Sequence, residues 1–502
     1  MPGSDLRRYP HIYEINACVF IGRMTRKYRR PLTLTSVPDE EWQALAKLGF
    51  DIVWLMGVWQ RSPGSRQEAM RHPEMRSEYD RTLPGWTEND INGSPYAIQA
   101  YELSPLLGKP EELGQLKEKL NSLGLRLILD FVANHLALDH PWVWEHPERF
   151  IQRDTVEPVH PGWFFLPETS RYIARSRYFA HGRDPNFPPW TDTVQVNFYS
   201  PDLRQALTAE LTKISEVADG ARCDMAMLAL NDVFGRVWGR YTDYPQPQTE
   251  FWSEAIGQVK KERPDFLFLA EAYWDTERQL QQLGFDFTYD KTLYDRLRYS
   301  TNGDIRSHLK DKLYQQSSVH FIENHDEQRA LTAFGVERSL AAAVIMSTVP
   351  GVRLFHDGQL DGYRVRMPTQ FCRQPHETAD PSIRTFYEKL LTACNLPSFH
   401  EGEWEMLDFN QTSQSNNNHP NVLAWSWSAS GGFKIVVVNY SQENAAGWLN
   451  LPSGSESTEK VPLRDELAGA TQTYSFKHIE RQGLYLELKP WEARILDYTP
   501  DK

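Results

Sequence analysis

Pro110-Glu-Glu-Leu-Gly-Gln-Leu-Lys-Glu-Lys-Leu-Asn-Ser-Leu-Gly124 runs directly into Leu125-Arg-Leu-Ile-Leu-Asp130-Phe-Val-Ala-Asn134-His135. Leucines three and four apart make the first half an amphipathic helix, Gly124 supplies its C-terminal cap, and the apolar run up to Asp130 reads as a buried strand. The same order occurs earlier, where the helix-like segment 39–48 stops at Gly49 and enters Asp51-Ile-Val-Trp-Leu-Met56. Helices alternating with fully apolar strands are the pattern of βα units around a parallel sheet. Further strand candidates lie at 11–20, 222–227, 266–270, 285–288, 319–323 and 352–355, which brings the number to eight. Eight favour a closed (β/α)8 barrel, the TIM barrel, over an open doubly wound sheet, because the Gly-rich phosphate turn of such a sheet is missing.

The chain has 502 residues, enough for a barrel with insertions and a second module. Segment 1–395 is expected to form the catalytic barrel, with 136–197, rich in Pro, His and aromatic residues, as a subdomain inserted after the third strand. Beyond 396 the pattern changes to short alternating runs, Val422-Leu-Ala-Trp-Ser-Trp427, Phe433-Lys-Ile-Val-Val-Val438 and Gly483-Leu-Tyr-Leu-Glu-Leu488, which predict a C-terminal antiparallel β-sandwich over 396–502. Segment 411–420, dominated by Ser, Asn and Gln, reads as a solvated loop.

A net charge of −13 argues against nucleic acid and anionic membrane as partners, since both require clustered positive potential. The 16 Trp, 22 Tyr and 24 Phe suit sugar stacking, and suit core packing equally well. The N-terminus shows no apolar signal-like run and no stretch approaches the roughly 18 apolar residues of a membrane span, so a soluble, cytoplasmic protein is expected. The four cysteines, Cys18, Cys223, Cys372 and Cys394, have no paired spacing, so neither a disulfide framework nor a zinc site is expected.

In a barrel, side chains at the C-terminal ends of separate strands converge on one face. Asp130, Asp224, Glu271 and Asp326 all fall at or near such ends. Any one of them alone is equally well read as a helix cap or loop acid, but four in alignment are not. Arg222 and Asp224, two apart, share one face of a strand, and the arginine is expected to lower the pKa of the carboxyl group. Glu271 follows Phe266-Leu-Phe-Leu-Ala270, where desolvation would raise its pKa and suit it to be a general acid. The alternative is an Arg–Asp pair that only braces the barrel mouth.

Asp130 with Asn134 and His135, Arg222 with Asp224, Glu271, and His325 with Asp326 resemble, in that order and on strands three, four, five and seven, the four sequence regions of the α-amylase family, glycoside hydrolase family 13. The resemblance implies a retaining enzyme cleaving α-1,4-glucosidic bonds of malto-oligosaccharides or glycogen-type glucans. It implies Asp224 as nucleophile, Glu271 as general acid/base and Asp326 as the carboxylate that fixes sugar hydroxyls and stabilises the transition state. Asp130, His135, Arg222 and His325 become substrate-binding residues. Tyr96, in Gly93-Ser-Pro-Tyr96, resembles the family's stacking tyrosine, and Trp274 is placed on the leaving-group side. A 4-α-glucanotransferase or other α-glucosyl-transferring enzyme is the alternative, and a non-catalytic glucan-binding protein a third reading. No cofactor is required. Asn134 matches a frequent calcium ligand of the family, and calcium takes six to eight oxygens, many from carboxylates. Two departures stand out: Met227-Leu228 replaces a common Lys-His pair, and Gln195 stands where aspartate is common. Both bear on specificity, and neither removes a catalytic carboxylate.

Overall fold

A computed structural model describes residues 6–155, 162–167, 177–412, 417–429, 432–451 and 460–498. All eight expected strands form: β1 (His11–Asn16), β2 (Ile52–Met56), β3 (Arg126–Val132), β4 (Gly220–Asp224), β5 (Leu267–Ala270), β6 (Phe287–Tyr289), β7 (Ser318–His320) and β8 (Val352–His356). Each pairs in parallel with the next, and β8 pairs with β1, so the sheet closes into a barrel. Every residue of β2, β4 and β8 is buried, because a strand with side chains inside the barrel on one face and helices on the other has no wet side. The expected helices appear as α2 (Asp39–Lys47) and α3 (Glu112–Ser122), after α1 (Ala17–Tyr28).

Three strand ends differ from expectation; the 319–323 run stops at His320. The 11–20 run stops at Asn16, whose side chain accepts a hydrogen bond from the Val19 amide at 3.2 Å and so starts α1. The 222–227 run ends at Asp224, because Met225 adopts a left-handed conformation, φ 42°, and a 3-10 turn follows.

The sequence also concealed an excursion between β2 and α3. Two helices, Pro63–Arg71 and Pro73–Thr82, project between the paired short strands Trp59–Arg61 and Ile98–Leu103. They enclose a satellite core of Ala69, Tyr79, Leu83, Ile91 and Phe371. Both are too polar to show an apolar stripe, so only the tertiary contact with Phe371 reveals what they pack against.

Within the insertion after β3, His135–Ala137 pairs antiparallel with Thr193–Gln195, and Gln152–Arg153, Phe164–Phe165 and Tyr178–Ala180 form a small ladder. Parts of this insertion lie outside the described residues. Toward the C-terminus, antiparallel strands form a six-stranded sheet, containing Val422–Ala429 and Gly432–Asn439, and a three-stranded sheet containing Leu484–Leu488. Val422, Ile435, Val437, Leu484 and Leu486 share a core. The larger sheet's Trp425 and Trp427 point instead to the barrel, where their indole N–H groups donate to the Thr348 carbonyl at 3.1 and 2.6 Å. Of the expected loop 411–420, residues 413–416 lie outside the described residues, and His419–Asn421 forms a 3-10 turn.

One sequence expectation is overturned. Cys18 and Cys372, 354 residues apart, form a disulfide, while Cys223 and Cys394 are buried and free. Spacing could not reveal the pair: α1 and the segment after β8 meet only because barrel closure makes β1 and β8 neighbours. In denaturant without reductant the protein should expose two titratable thiols, and four after reduction; four before reduction would contradict the bridge. Cys18→Ser should lower the unfolding free energy by about 2–4 kcal/mol in denaturant titrations.

Candidate active site

The site is organised around Arg222, which is completely buried. The barrel register sets Arg222 opposite Asp130 and Cys223 opposite Ala270, so the ends of β3, β4 and β5 lie side by side. Arg222 Nη1 donates to Asp224 Oδ1 at 2.8 Å and Nη2 to Glu271 Oε2 at 2.7 Å. Its Nε donates to the Tyr289 hydroxyl at 3.3 Å, and Asp130 Oδ1 lies 3.8 Å from Nη1. One guanidinium fork therefore holds both carboxyl groups, a spacing compatible with the roughly 5 Å of retaining glycosidases. Asp130 faces away from the cleft toward the Trp54 indole N–H at 3.2 Å and the Gly57 amide at 2.9 Å, so it braces the arginine from below.

Glu271 receives two further donors. The Met225 amide reaches Oε2 at 2.8 Å, and the Tyr273 hydroxyl reaches Oε1 at 2.7 Å. The left-handed Met225 turns its amide toward Glu271, a strained backbone at the place where the site requires it. Asp224 Oδ2, by contrast, is buried and has no hydrogen-bond partner among the described residues.

On the far side, His325 Nε2 lies 2.7 Å from the Tyr96 hydroxyl and 3.0 Å from Asp326 Oδ2, and its Nδ1 lies 2.5 Å from Glu14 Oε1. Tyr96 and His325 stack at 5.4 Å. A cleft of about 310 Å³ joins Tyr96, His135, Asp224, Glu271 and Asp326, with Met225 and Trp190 in its wall. Arg222, Asp130 and His325 support the cleft from behind. Trp274 departs from expectation: it is 41% exposed, with φ 63°, and lines a separate depression beside Arg236 and Thr276. Glu14, Trp54, Tyr273 and Tyr289 were missed. Tyr273 carried a signal, two residues beyond Glu271, whereas Glu14 sits in an ordinary strand run. Glu68, His72 and Met75 of the unforeseen helix pair also line the cleft.

Burial raises Asp224 to about 6, outweighing the charge and hydrogen bond of Arg222. The lowered pKa expected from the arginine alone is thus corrected, because the sequence shows the partner but not the loss of water. Burial raises Glu271 to about 7 against the same arginine, and Asp130 to about 6. Asp224 and Glu271 share one cation, so these pKa values belong to the pair. Enclosure by the cleft raises Asp326, but the charge and hydrogen bond of His325 more than offset this and hold it at about 2, with 48% of its side chain still open to solvent. Burial lowers His325, and the charges of Asp326 and Glu14 overcome that, leaving it well above the usual histidine range. Burial takes His135 to about 3, against a hydrogen bond with the Tyr96 backbone that favours the charged form. The arrangement can supply a protonated and an ionised carboxyl group to one bound bond near neutral pH.

The surroundings of Asn134 do not fit calcium. Gln195 Nε2 donates to the Asn134 carbonyl and Oδ1 at 3.0 Å each and to the Val196 carbonyl at 3.2 Å, so an amide –NH2 occupies the oxygens a cation would need. Elsewhere among the described residues, His146, Glu148 and Asp202 come together at the surface, where Arg149 already pairs with Asp202 at 2.5 Å.

A model of the alpha-amylase catalytic domain matches residues 40–446. An alpha-amylase, MalA, of Haloarcula japonica is 22% identical over 459 residues, 90% of this chain and 58% of that protein. An alpha-1,4-glucan:maltose-1-phosphate maltosyltransferase of Cereibacter sphaeroides is 31% identical over 245 residues, 45% of this chain and 30% of the relative. The chain thus spans less than two thirds of the length of these curated relatives. The crystal structure of a maltogenic alpha-amylase, AmyB, from Thermotoga neapolitana superposes with a TM-score of 0.70 at 20% identity, covering 99% of this chain and all of that one, a likeness of fold.

Removing the Tyr273 hydroxyl takes a donor from the ionised form of Glu271, so Tyr273→Phe should move its titration upward from about 7 by about one pH unit. Infrared or carbon NMR titration of the carboxyl groups checks this, and a downward move would contradict the assignment.

Proposed function

The chain belongs to the alpha-amylase family, and from that premise we propose that it is a retaining enzyme cleaving α-1,4-glucosidic bonds of malto-oligosaccharides or glycogen-type glucans. The observation that carries this reading is the Arg222 fork: it fixes two carboxyl groups together while leaving Asp224 Oδ2 without a partner. Asp224 Oδ2 attacks the anomeric carbon, the bond from that carbon to the glycosidic oxygen breaks, and the Glu271 proton passes to the departing oxygen. Glu271, now a carboxylate, takes a proton from water; the water oxygen attacks the anomeric carbon and releases Asp224.

Burial supports these roles, since it lets the Asp224–Glu271 pair retain a proton near neutral pH. Asp326, ionised beside His325, accepts hydrogen bonds from the sugar hydroxyls and stabilises positive charge at the anomeric carbon. Tyr96, held by His325, offers its ring to the sugar face, and His135, neutral by burial, offers a hydrogen bond. Met227 and Leu228 are buried, so the polar acceptor pair common in the family is replaced by core residues.

Transfer to another sugar uses the same covalent intermediate, and the maltosyltransferase relatives keep it as the second reading. Among the described residues no helix is long and apolar enough to cross a membrane. The Cys18–Cys372 bridge supports an oxidising compartment over the cytoplasmic one expected from sequence.

Asp224→Asn and Glu271→Gln should each lower turnover of maltoheptaose by about a thousandfold or more while circular dichroism stays unchanged. Shorter products with new reducing ends indicate hydrolysis, and longer products at constant reducing ends indicate transfer. Unchanged turnover in either variant would falsify the mechanism.

A further inference from the structure

The unforeseen helix pair, Pro63–Arg71 and Pro73–Thr82, contributes Glu68, His72 and Met75 to the wall of the catalytic cleft. It is built onto the segment that carries Tyr96: the Ser94 amide donates to Ser65 Oγ at 2.9 Å, and Arg66 donates to the Ile91 carbonyl at 2.8 Å. Under the function proposed above, Tyr96 and Asp326 hold the sugar whose anomeric carbon reacts, so this wall stands on the donor side of the scissile bond.

Several independent contacts fix the wall. Arg366 pairs with Glu78 of the second helix at 2.5 Å and donates to the Asp326 carbonyl at 3.2 Å, linking the wall to a residue of the cleft. Arg373 clamps Asp90 at 2.6 and 2.8 Å, Phe371 enters the satellite core, and the adjacent Cys372 is bonded to Cys18 of α1. Gln370, from the same strap, lines the cleft opposite the helices. A segment held by a core, two ion pairs and a disulfide is a fixed wall. His72 and Glu68 bring polar side chains to this wall of the cleft. The cleft volume, about 310 Å³, is near the lower limit of about 300 Å³ for ligand pockets. An open groove for a passing polymer would need an exit where this wall stands.

We propose that the helix pair closes the donor end of the cleft, so that the enzyme takes glucan chains by their non-reducing ends and does not cleave within them. Glu68 and His72 then act as specificity residues for the terminal sugar. The inference rests on the proposed α-glucan activity. It is tested with two maltoheptaosides that share one ultraviolet-absorbing aglycone, one with a free non-reducing end and one with that end blocked by a cyclic acetal, their products being resolved by chromatography. The free-ended compound should be cleaved at least a hundredfold faster. Equal rates overturn the closed wall while leaving the α-glucan activity standing, whereas failure to cleave either compound overturns the activity itself. In a His72→Ala, Met75→Ala double variant the ratio of blocked to free rates should rise at least tenfold; an unchanged ratio in a folded variant removes these residues from the wall.

Discussion

A single buried guanidinium governs this site. Arg222 is shut off from solvent, so its charge requires compensation from the protein, and Asp224 and Glu271 provide it from the ends of two neighbouring strands. With Asp130 close behind, three carboxyl groups surround one cation. Loss of water on burial, with a smaller contribution from neighbouring carboxylates, raises the carboxyl pKa values toward neutrality against the arginine, so the pair retains a proton where an exposed pair would not. The barrel makes this arrangement rigid. Register between β3, β4 and β5 sets the carboxyl groups side by side, Tyr289 from β6 closes another edge, and the Trp54 and Tyr96 rings lie 5.2 and 5.3 Å from the guanidinium carbon.

A second charge balance stands across the cleft. His325, charged between Glu14 and Asp326, keeps Asp326 ionised and positions Tyr96 through its hydroxyl. The cleft therefore presents a proton-sharing pair of carboxyl groups on one wall and an ionised carboxylate on another. Away from it, the Asn134–Gln195 amide pair stabilises the root of the insertion through hydrogen bonds between neutral groups, where the family resemblance suggested an ion.

The barrel was legible in the sequence because its strands are continuous apolar runs between capped helices, and the carboxyl groups because each ends such a run. What remained hidden depends on contacts between distant segments. The helices Pro63–Arg71 and Pro73–Thr82 carry little apolar periodicity and gain their core from Phe371. Cys18 meets Cys372 only after β8 closes on β1. The Asp224 pKa followed burial, which the neighbouring Arg222 could not disclose, and Trp274 turned outward because its left-handed backbone carries it away from the cleft. Glu14 looked like one more residue of β1 until His325 was placed beside it.

The proposed role of Asp224 is that of the nucleophile whose oxygen bonds to the anomeric carbon in a covalent intermediate. Incubation with a fluorinated α-maltosyl fluoride, which forms such an intermediate faster than it is released, followed by intact-mass measurement and peptide mapping, tests it directly. One glycosyl unit attached to the peptide containing Asp224 is the predicted result. Turnover that inverts the anomeric configuration, or a label on another carboxyl group, would contradict it.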